Sequence, residues 1–391
     1  MKKVLTYFLS SISVTLLSVI VVFISSVKLE AKIFSEIVYF LYLIPLILEL
    51  SIFGQHYSIL KNAHKNKVSN LWKLDRRKLY LSAMICCVLV FNIISDIENA
   101  ALLLLTTLMI ISLWMTSAFL RVNGKLLMSV VTGRFIQIMV SIVLVIFMIF
   151  NNIDDYIYLI LFTLTIFFYF IVLRRFRNNF PFVNSSMTGR TDTTYEINMF
   201  FTICSMLLVK SLDKIIISNY FTPYEFSKFV ILFQLYLPFP VLAGFIFQYY
   251  MPKFASQSSI SYNKLYSGLF VIFCFFLWYF ISEISYWIYT QVYSGKYDFS
   301  LHEIRAFIGA GFLFVLYQPL ALVIVSISKN SNLFTLNMLN IISIGAYAYF
   351  ITISIQENTL DYVIAGFLCF WVIKLFSGVI IINKIKNFKW G

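Results

Sequence analysis

Apolar runs of about 20 residues recur from one end of this 391-residue chain to the other. A bilayer core is crossed by about 20 helical residues, so each run predicts a membrane-spanning helix. Charged residues make up only 12% of the chain, against about a quarter in soluble domains. The pattern therefore predicts an all-α polytopic membrane protein with about twelve spans. They are residues 4–27, 33–54, 79–95, 99–120, 126–150, 156–173, 196–219, 226–249, 265–289, 303–326, 333–355 and 362–383.

Lysine and arginine are distributed unevenly between the predicted loops. The loops after spans two and six, residues 56–78 and 174–190, are rich in both, whereas the outer connections are comparatively acidic. Cytoplasmic loops carry the excess of basic residues in membrane proteins, so this asymmetry predicts that both termini are cytoplasmic. The net charge of +13 is then a topology signal and does not require a nucleic-acid partner. Binding of anionic lipid headgroups by the loop at 56–78 is an open alternative.

The two halves of the chain contain a weak internal repeat. FSEIV at 34–38 is matched by FSKFV at 226–230, and both matches open an even-numbered span. A repeat of six spans predicts two six-helix bundles in the same orientation, related by an axis along the membrane normal. The predicted division is an N-terminal bundle at 1–180, a cytoplasmic linker at 181–195 and a C-terminal bundle at 196–391.

Ionisable residues inside the spans are few, and inserting each of them into a membrane costs free energy. Six lie well inside: Glu49, Arg134, Lys210, Asp213, Lys214 and Lys374. Each costs roughly 2.5–3.5 kcal/mol at a helix centre, which indicates functional roles. The surplus of basic over acidic groups favours an anionic ligand such as a diphosphate, because charge-assisted hydrogen bonds are strong where water is scarce. The four basic residues are therefore predicted to bind substrate, and the two acidic residues to serve ion coupling or to hold a basic neighbour.

The seventh span contains three of these residues. Lys210 and Lys214 are four residues apart and are predicted to share a helix face. Asp213 is three residues from Lys210 and within reach of it, which predicts an ion pair and leaves one positive charge over. A purely structural Lys210–Asp213 bridge remains an alternative, as does Lys214 extending to water at the outer interface.

The other three residues also have structural alternatives. Arg134 lies about eight residues into the fifth span, from which a long side chain can still reach cytoplasmic water. Glu49 suits either a helix-packing hydrogen bond or coupling to a cation. Lys374 has no acidic neighbour one turn away in its own span, which makes a structural ion pair within that helix less favoured.

Two segments carry a resemblance to a known family. Residues 211–255 read SLDKIIISNYFTPYEFSKFVILFQLYLPFPVLAGFIFQYYMPKFA and resemble the seventh and eighth spans of polysaccharide-export flippases. Residues 119–145 read FLRVNGKLLMSVVTGRFIQIMVSIVLV and resemble the connection between their fourth and fifth spans. The family is the O-antigen and lipid-linked oligosaccharide flippases, MATE-like members of the MOP exporter superfamily. One departure is Tyr224 to Ser227, where family members often carry glycine.

The resemblance implies a function and a location. The cargo would be an undecaprenyl-diphosphate-linked oligosaccharide, moved by alternating access from the cytoplasmic to the outer leaflet of the bacterial inner membrane. Such a protein needs no cofactor, and coupling to H⁺ or Na⁺ remains open. Membrane lipids and the polysaccharide polymerase machinery are the implied partners, nucleic acid is not one, and a monomer is expected.

Two other functions remain as alternatives. A cation-coupled exporter of small amphiphiles would favour acidic residues in the spans, whereas here the basic ones predominate. A membrane-embedded polysaccharide polymerase usually needs a sizeable outer loop, and the longest outer connection predicted here is 290–302. The sequence shows neither a DxD motif nor a cluster of metal ligands, so we expect a transporter and not an enzyme.

Overall fold

Helices occupy the predicted membrane spans as far as the structure describes them, and the end of the eighth span after residue 243 lies outside the described residues. The structure is a computed structural model that describes residues 2–52, 76–94, 96–122, 125–150, 157–176, 193–241, 243, 260–262, 264–327, 330–385 and 388–390. The basic loop at 56–78 lies almost wholly outside these residues, and so does the predicted linker as far as residue 192.

The first half of the chain is helical, with one irregular turn. Its helices are α1 (Lys2–Lys28), α2 (Ala31–Ile52), α3 (Arg76–Ile93), α4 (Ile97–Val122), α5 (Leu126–Gly133), α6 (Phe135–Ile149), α7 (Ile157–Phe176) and α8 (Thr193–Leu207). A π-helical turn, Leu208–Leu212, follows α8 directly and leads into α9 (Asp213–Tyr220). The seventh predicted span is therefore two α-helices joined by a π turn.

The second half contains five further helices and one small sheet. The helices are α10 (Pro223–Tyr236), α11 (Lys264–Val292), α12 (Leu301–Ile327), α13 (Asn330–Glu357) and α14 (Asp361–Ile382). The strands β1 (Ile260–Tyr262) and β2 (Phe388–Trp390) pair in parallel, with Ile260 opposite Phe388. The apolar pattern did not predict these two strands, because three residues are too few to show a period.

The helices have the length and composition of membrane spans. Among the described residues, seven helices are long and apolar enough to cross a bilayer, and the bent pair α5–α6 makes an eighth. The axes of α5 and α6 meet at 61°. The prediction of an all-α, multi-pass membrane protein is confirmed.

The chain divides into two compact units, residues 1–215 and 216–391. In the first unit, α2 packs against α3 and α6 and, near its C-terminal end, against α8 and the π turn. In the second unit, α14 packs against both α12 and α13. The predicted bundle boundaries, and the axis relating the two bundles, stay predictions.

Serine side chains join α4 to α5 in the first unit. Ser117 Oγ donates to the Ser129 carbonyl oxygen at 2.7 Å, and Ser129 Oγ donates to the Ser117 carbonyl oxygen at 2.8 Å. Small hydroxyl residues are typical of helix contacts in membranes, where they let backbones approach closely. These hydrogen bonds hold α5, the first helix of the bent α5–α6 pair, against α4.

A close crossing of α13 and α14 supports the second unit. A Cβ atom built on Gly366 would lie 2.5 Å from Phe350 Cβ and 3.0 Å from Tyr347 Cδ2. Phe350 Cβ is fixed to its own helix, so the helices would have to separate to admit a methyl group at Gly366.

Gly366→Ala should therefore destabilise the protein by about 1–3 kcal/mol, the usual cost of overpacking a core. The matched control is Gly345→Ala on α13, where an added Cβ meets nothing within 4 Å. Alanine is the better helix former by about 1 kcal/mol, so the control should be neutral or slightly stabilising. Thermal unfolding of both variants in detergent tests this; equal melting points would mean that α13 and α14 are not in close contact.

Candidate functional site

One face of α2 meets the π turn of the seventh span. Tyr42, Leu46 and Glu49 are spaced by four and three residues, so they lie along the same side of α2. Leu46 packs against Leu207 at the end of α8, and Ile215 borders that contact. Apolar packing thus holds the polar ends of this face, at Tyr42 and Glu49, beside the lysines of the π turn and α9.

Lys210 and Glu49 form an ion pair across these two elements. The Lys210 Nζ atom lies 3.3 Å from Glu49 Oε1. The Lys210 side chain is 45% exposed, whereas that of Glu49 is 12% exposed. The ammonium is therefore accessible, while the carboxylate is held against the helix packing.

Lys214 and Asp213 form a second ion pair, which is fully buried. The Lys214 Nζ atom lies 2.8 Å from Asp213 Oδ2, and both side chains have no exposed surface. The same Nζ donates to the Val209 carbonyl oxygen, and it lies 5.8 Å from the centre of the Tyr42 ring. The backbone N–H of Lys214 donates to Asp213 Oδ1 at 2.8 Å. Buried charges persist where they are paired and hydrogen-bonded, and this pair meets both conditions.

The π turn accounts for the different surroundings of the two lysines. A π-helix has i→i+5 hydrogen bonds, appears mostly as single turns and is frequent at functional sites. Lys210 lies within the turn, and Lys214 lies just beyond it, in the first turn of α9. The 3.6-residue period that predicted a shared face does not apply across such a turn.

The predicted charge arrangement in this span is therefore wrong in two respects. Asp213 pairs with Lys214, and the carboxylate that pairs with Lys210 is Glu49. Each lysine of the span has a carboxylate partner, so no positive charge is left over here. The alternative that Lys214 extends to the outer interface is also wrong, because its Nζ is buried and bonded to Val209, an earlier residue of the same span.

Arg134 lies at the break between α5 and α6. Its backbone, with φ −105° and ψ 12°, ends one helix and begins the next. The half-buried side chain donates from Nη1 to Gln137 Oε1 at 3.3 Å. The sequence placed Arg134 only within the fifth span, whereas the structure places it at a 61° bend between two helices. The predicted role of Arg134 in substrate binding stays a prediction.

Lys374 lies in the second unit and is fully buried. Its Nζ is 5.8 Å from the centre of the Tyr317 ring on α12 and 5.6 Å from that of Phe370 on α14. Aromatic faces attract ammonium groups at such distances. The structure thus groups four of the six predicted residues on α2 and the seventh span, and places Lys374 among aromatic rings elsewhere.

Sequence reasoning missed three residues that shape these surroundings. Tyr42 lies seven residues before Glu49 and so on the same helix face, which is a signal that a search along α2 could have found. Gln137 lies one turn after Arg134, at a spacing that lets side chains meet. Tyr317 gave no signal, because its contact with Lys374 joins two different helices.

Comparison with known proteins identifies the fold. No family model and no curated protein matches the chain. Among solved structures, the crystal structure of the eukaryotic MATE transporter AtDTX14 superposes with a TM-score of 0.59, covering 98% of this chain and 96% of that one. The chain has a MATE-type fold. Sequence identity over this superposition is 11%, so the likeness concerns the fold alone.

Proposed function

We propose that this protein is a flippase that moves oligosaccharides linked to a lipid diphosphate across a bacterial inner membrane. The observation that carries the proposal is the accessible Lys210–Glu49 pair at a π turn, within a fold shared with a transporter along nearly its whole length. An exposed ammonium that pairs with a carboxylate can exchange that carboxylate for another anion.

The exchange gives Lys210 and Glu49 distinct roles. A diphosphate oxygen takes the place of Glu49 Oε1 on the Lys210 ammonium, with a charge-assisted hydrogen bond of the same kind. Glu49, released from its partner, then accepts a proton or a Na⁺ ion. Cargo binding at Lys210 thus releases Glu49 to bind the coupling ion. Alternating access needs such a link between the two binding events.

The buried pair has a supporting role in this scheme. Lys214 and Asp213 neutralise each other and hydrogen-bond to the backbone next to the π turn. They fix the turn that presents Lys210, and they are not themselves accessible to a lipid headgroup. The sequence predicts that Lys214 binds substrate, whereas in this scheme it supports the π turn and has no direct contact with the cargo.

Arg134 is the second proposed phosphate ligand. A guanidinium binds phosphate oxygens with two parallel hydrogen bonds, and the α5–α6 break gives it a defined position. No cofactor is needed for the proposed activity. Membrane lipids and a polysaccharide polymerase are the proposed partners of a monomer with both termini in the cytoplasm.

A cation-coupled exporter of small amphiphiles is the second candidate. It is favoured by the sheltered carboxylate of Glu49, which a cationic cargo would also use, and by the fold. The two functions differ in which residue the cargo contacts. Glu49→Gln should abolish cargo binding in an amphiphile exporter, whereas in the flippase it should impair coupling and leave cargo binding intact.

Deletion of the gene in its host tests the proposed function. Loss of surface polysaccharide, with lipid-linked repeat units stranded on the cytoplasmic leaflet, is the expected result, and the wild-type gene should restore export. Leaflet-resolved detection of the lipid-linked sugar provides the measurement. Normal delivery of repeat units to the outer leaflet, with only the chain length of the polysaccharide changed, would contradict it and favour a polymerase.

A further inference from the structure

An ion pair joins α11 to α12 in the second unit. Arg305 Nη2 lies 2.5 Å from Glu283 Oε1. The guanidinium also lies over the ring of Tyr279, with its Cζ atom 5.2 Å from the ring centre. Trp278 Nε1 donates to the Arg305 carbonyl oxygen at 2.8 Å, which fixes the backbone that carries the guanidinium. The pair therefore has a defined position between the two helices.

Both charges of this pair are accessible from outside the protein. The Arg305 side chain is 35% exposed and that of Glu283 is 40% exposed, whereas both side chains of the Lys214–Asp213 pair are fully enclosed. A guanidinium has five N–H donors, and a carboxylate has about four lone-pair sites. Their mutual contact uses only part of this capacity, so one further molecule can bind both groups at once.

The ion pair lies near one end of both spans. Trp287 is one turn beyond Glu283 on the same face of α11, and it is exposed. Tryptophan is enriched where a membrane meets water. Arg305 is four residues from Leu301, the first residue of α12, which is about 6 Å along the helix axis. These positions correspond to the headgroup level of a bilayer, in the outer leaflet on the predicted topology.

An exposed apolar stripe of α11 leads from the ion pair towards the middle of the span. Phe273, Phe276 and Phe280 precede Glu283 by ten, seven and three residues, so the four share one helix face. All three phenylalanine rings are exposed. The face is thus polar near Trp287 and apolar further into the span. A phospholipid has the same order, with a charged headgroup above its acyl chains.

The charges of the pair select the kind of headgroup. A purely anionic headgroup would be attracted by Arg305 and repelled by Glu283. A zwitterionic headgroup can place its phosphate on the guanidinium and its ammonium on the carboxylate, with charge-assisted hydrogen bonds at both. A primary ammonium has three N–H donors, as lysine has, whereas a quaternary ammonium has none. The pair therefore favours an ethanolamine headgroup over choline or glycerol.

We propose that α11 and α12 bind a phosphatidylethanolamine molecule, with its phosphate on Arg305 and its ammonium on Glu283. One acyl chain lies along Phe276 and Phe280. The lipid contacts both helices and so stabilises their packing. This site goes beyond the proposed transport function, because the lipid is a bound component of the second unit and not the cargo.

Thermal unfolding of the purified full-length protein in detergent tests the lipid site in the absence of cargo. Added phosphatidylethanolamine should raise the melting point by about 2–4 °C, and the rise should saturate, because a ligand of the folded state stabilises it. Its N-methylated analogues, up to phosphatidylcholine, keep the phosphate and acyl chains but lose N–H donors in steps. The rise should decrease along this series. Equal rises throughout, or no rise with any of these lipids, would overturn the proposal.

Glu283→Gln locates the preference at the ion pair. It keeps the size of the side chain and removes the negative charge, so phosphatidylethanolamine and phosphatidylcholine should then have equal effects. Asp361→Asn is the matched control: its carboxylate is also exposed, 3.8 Å from His302 in the same unit, and the preference should remain. A preference that survives in Glu283→Gln would contradict the site.

Lipid competition on the wild-type protein gives a second readout that requires no variant to fold. The protein is mixed with equal amounts of phosphatidylethanolamine and phosphatidylcholine that have the same acyl chains, and native mass spectrometry reports which lipid stays bound. Phosphatidylethanolamine should predominate in the complex with one lipid. Equal occupancy by the two lipids would contradict recognition of the primary ammonium.

Discussion

Asp213→Asn should destabilise the protein by about 3–5 kcal/mol, the largest effect expected from any single change at the site. The substitution leaves the Lys214 ammonium fully buried after removal of the carboxylate oxygen that lies 2.8 Å from it. Breaking one side of a buried ion pair has this cost because the remaining charge is not compensated. Thermal unfolding and the monodisperse fraction on size-exclusion chromatography provide the measurement.

The double variant Asp213→Asn/Lys214→Met shows whether the stability lost in Asp213→Asn comes from an uncompensated charge or from altered packing. Removing both charges of a buried pair is often neutral or stabilising, so the double variant should recover much of the lost stability. Lys210→Met is the matched control on the same span, and it should cost less stability than Asp213→Asn because the Lys210 side chain is 45% exposed, whereas both members of the other pair are buried. A double variant as unstable as Asp213→Asn would show that the pair does not act through its charges.

Lys210→Gln should abolish export while the protein remains folded. The exposed ammonium is the proposed contact for the lipid diphosphate, and a hydrogen bond to a charged group contributes about 1.5–3 kcal/mol. Loss of that bond lowers the apparent affinity for cargo roughly 10- to 100-fold. Surface polysaccharide measured in cells that express each variant at equal level gives the readout.

Two further substitutions, one at Lys210 and one at Glu49, serve as controls for the export experiment. Lys210→Arg keeps a positive charge able to bind phosphate and should retain most of the export. Glu49→Gln keeps the ammonium, so cargo binding should persist while dependence on the ion gradient is lost. Unaffected export in Lys210→Gln would mean that this lysine does not contact the cargo.

The spans could be predicted from the sequence because the signal is local. A run of about 20 apolar residues specifies a membrane helix without knowledge of its neighbours. Helices accordingly occur at 31–52 and 301–327, where apolar runs had placed the second and tenth spans. The weak strands at 260–262 and 388–390 have no comparable signal, since their pairing joins segments far apart in the chain.

The charge pairs could not be predicted in the same way. The partner of Lys210 is Glu49, which lies 161 residues away along the chain, and no helical spacing rule reaches that far. The π turn also changes the local geometry, so the rule that pairs residues three apart chose Asp213 wrongly. Lys214 lies close to the outer end of its span, which suggested that its side chain extends to water at the outer interface. Its ammonium instead donates to Asp213 and to the Val209 carbonyl oxygen within the protein.

Reconstituted transport tests the central claim most directly. The purified protein is placed in liposomes with a labelled undecaprenyl-diphosphate-linked oligosaccharide, and a sugar-cleaving enzyme outside the vesicles reports the accessible fraction over time. The wild-type protein should move inner-leaflet substrate outward much faster than protein-free vesicles, and Lys210→Gln should approach the protein-free rate. Transfer by the wild-type protein at the protein-free rate, or equal transfer by wild type and Lys210→Gln, would contradict a flippase that holds its lipid diphosphate at Lys210.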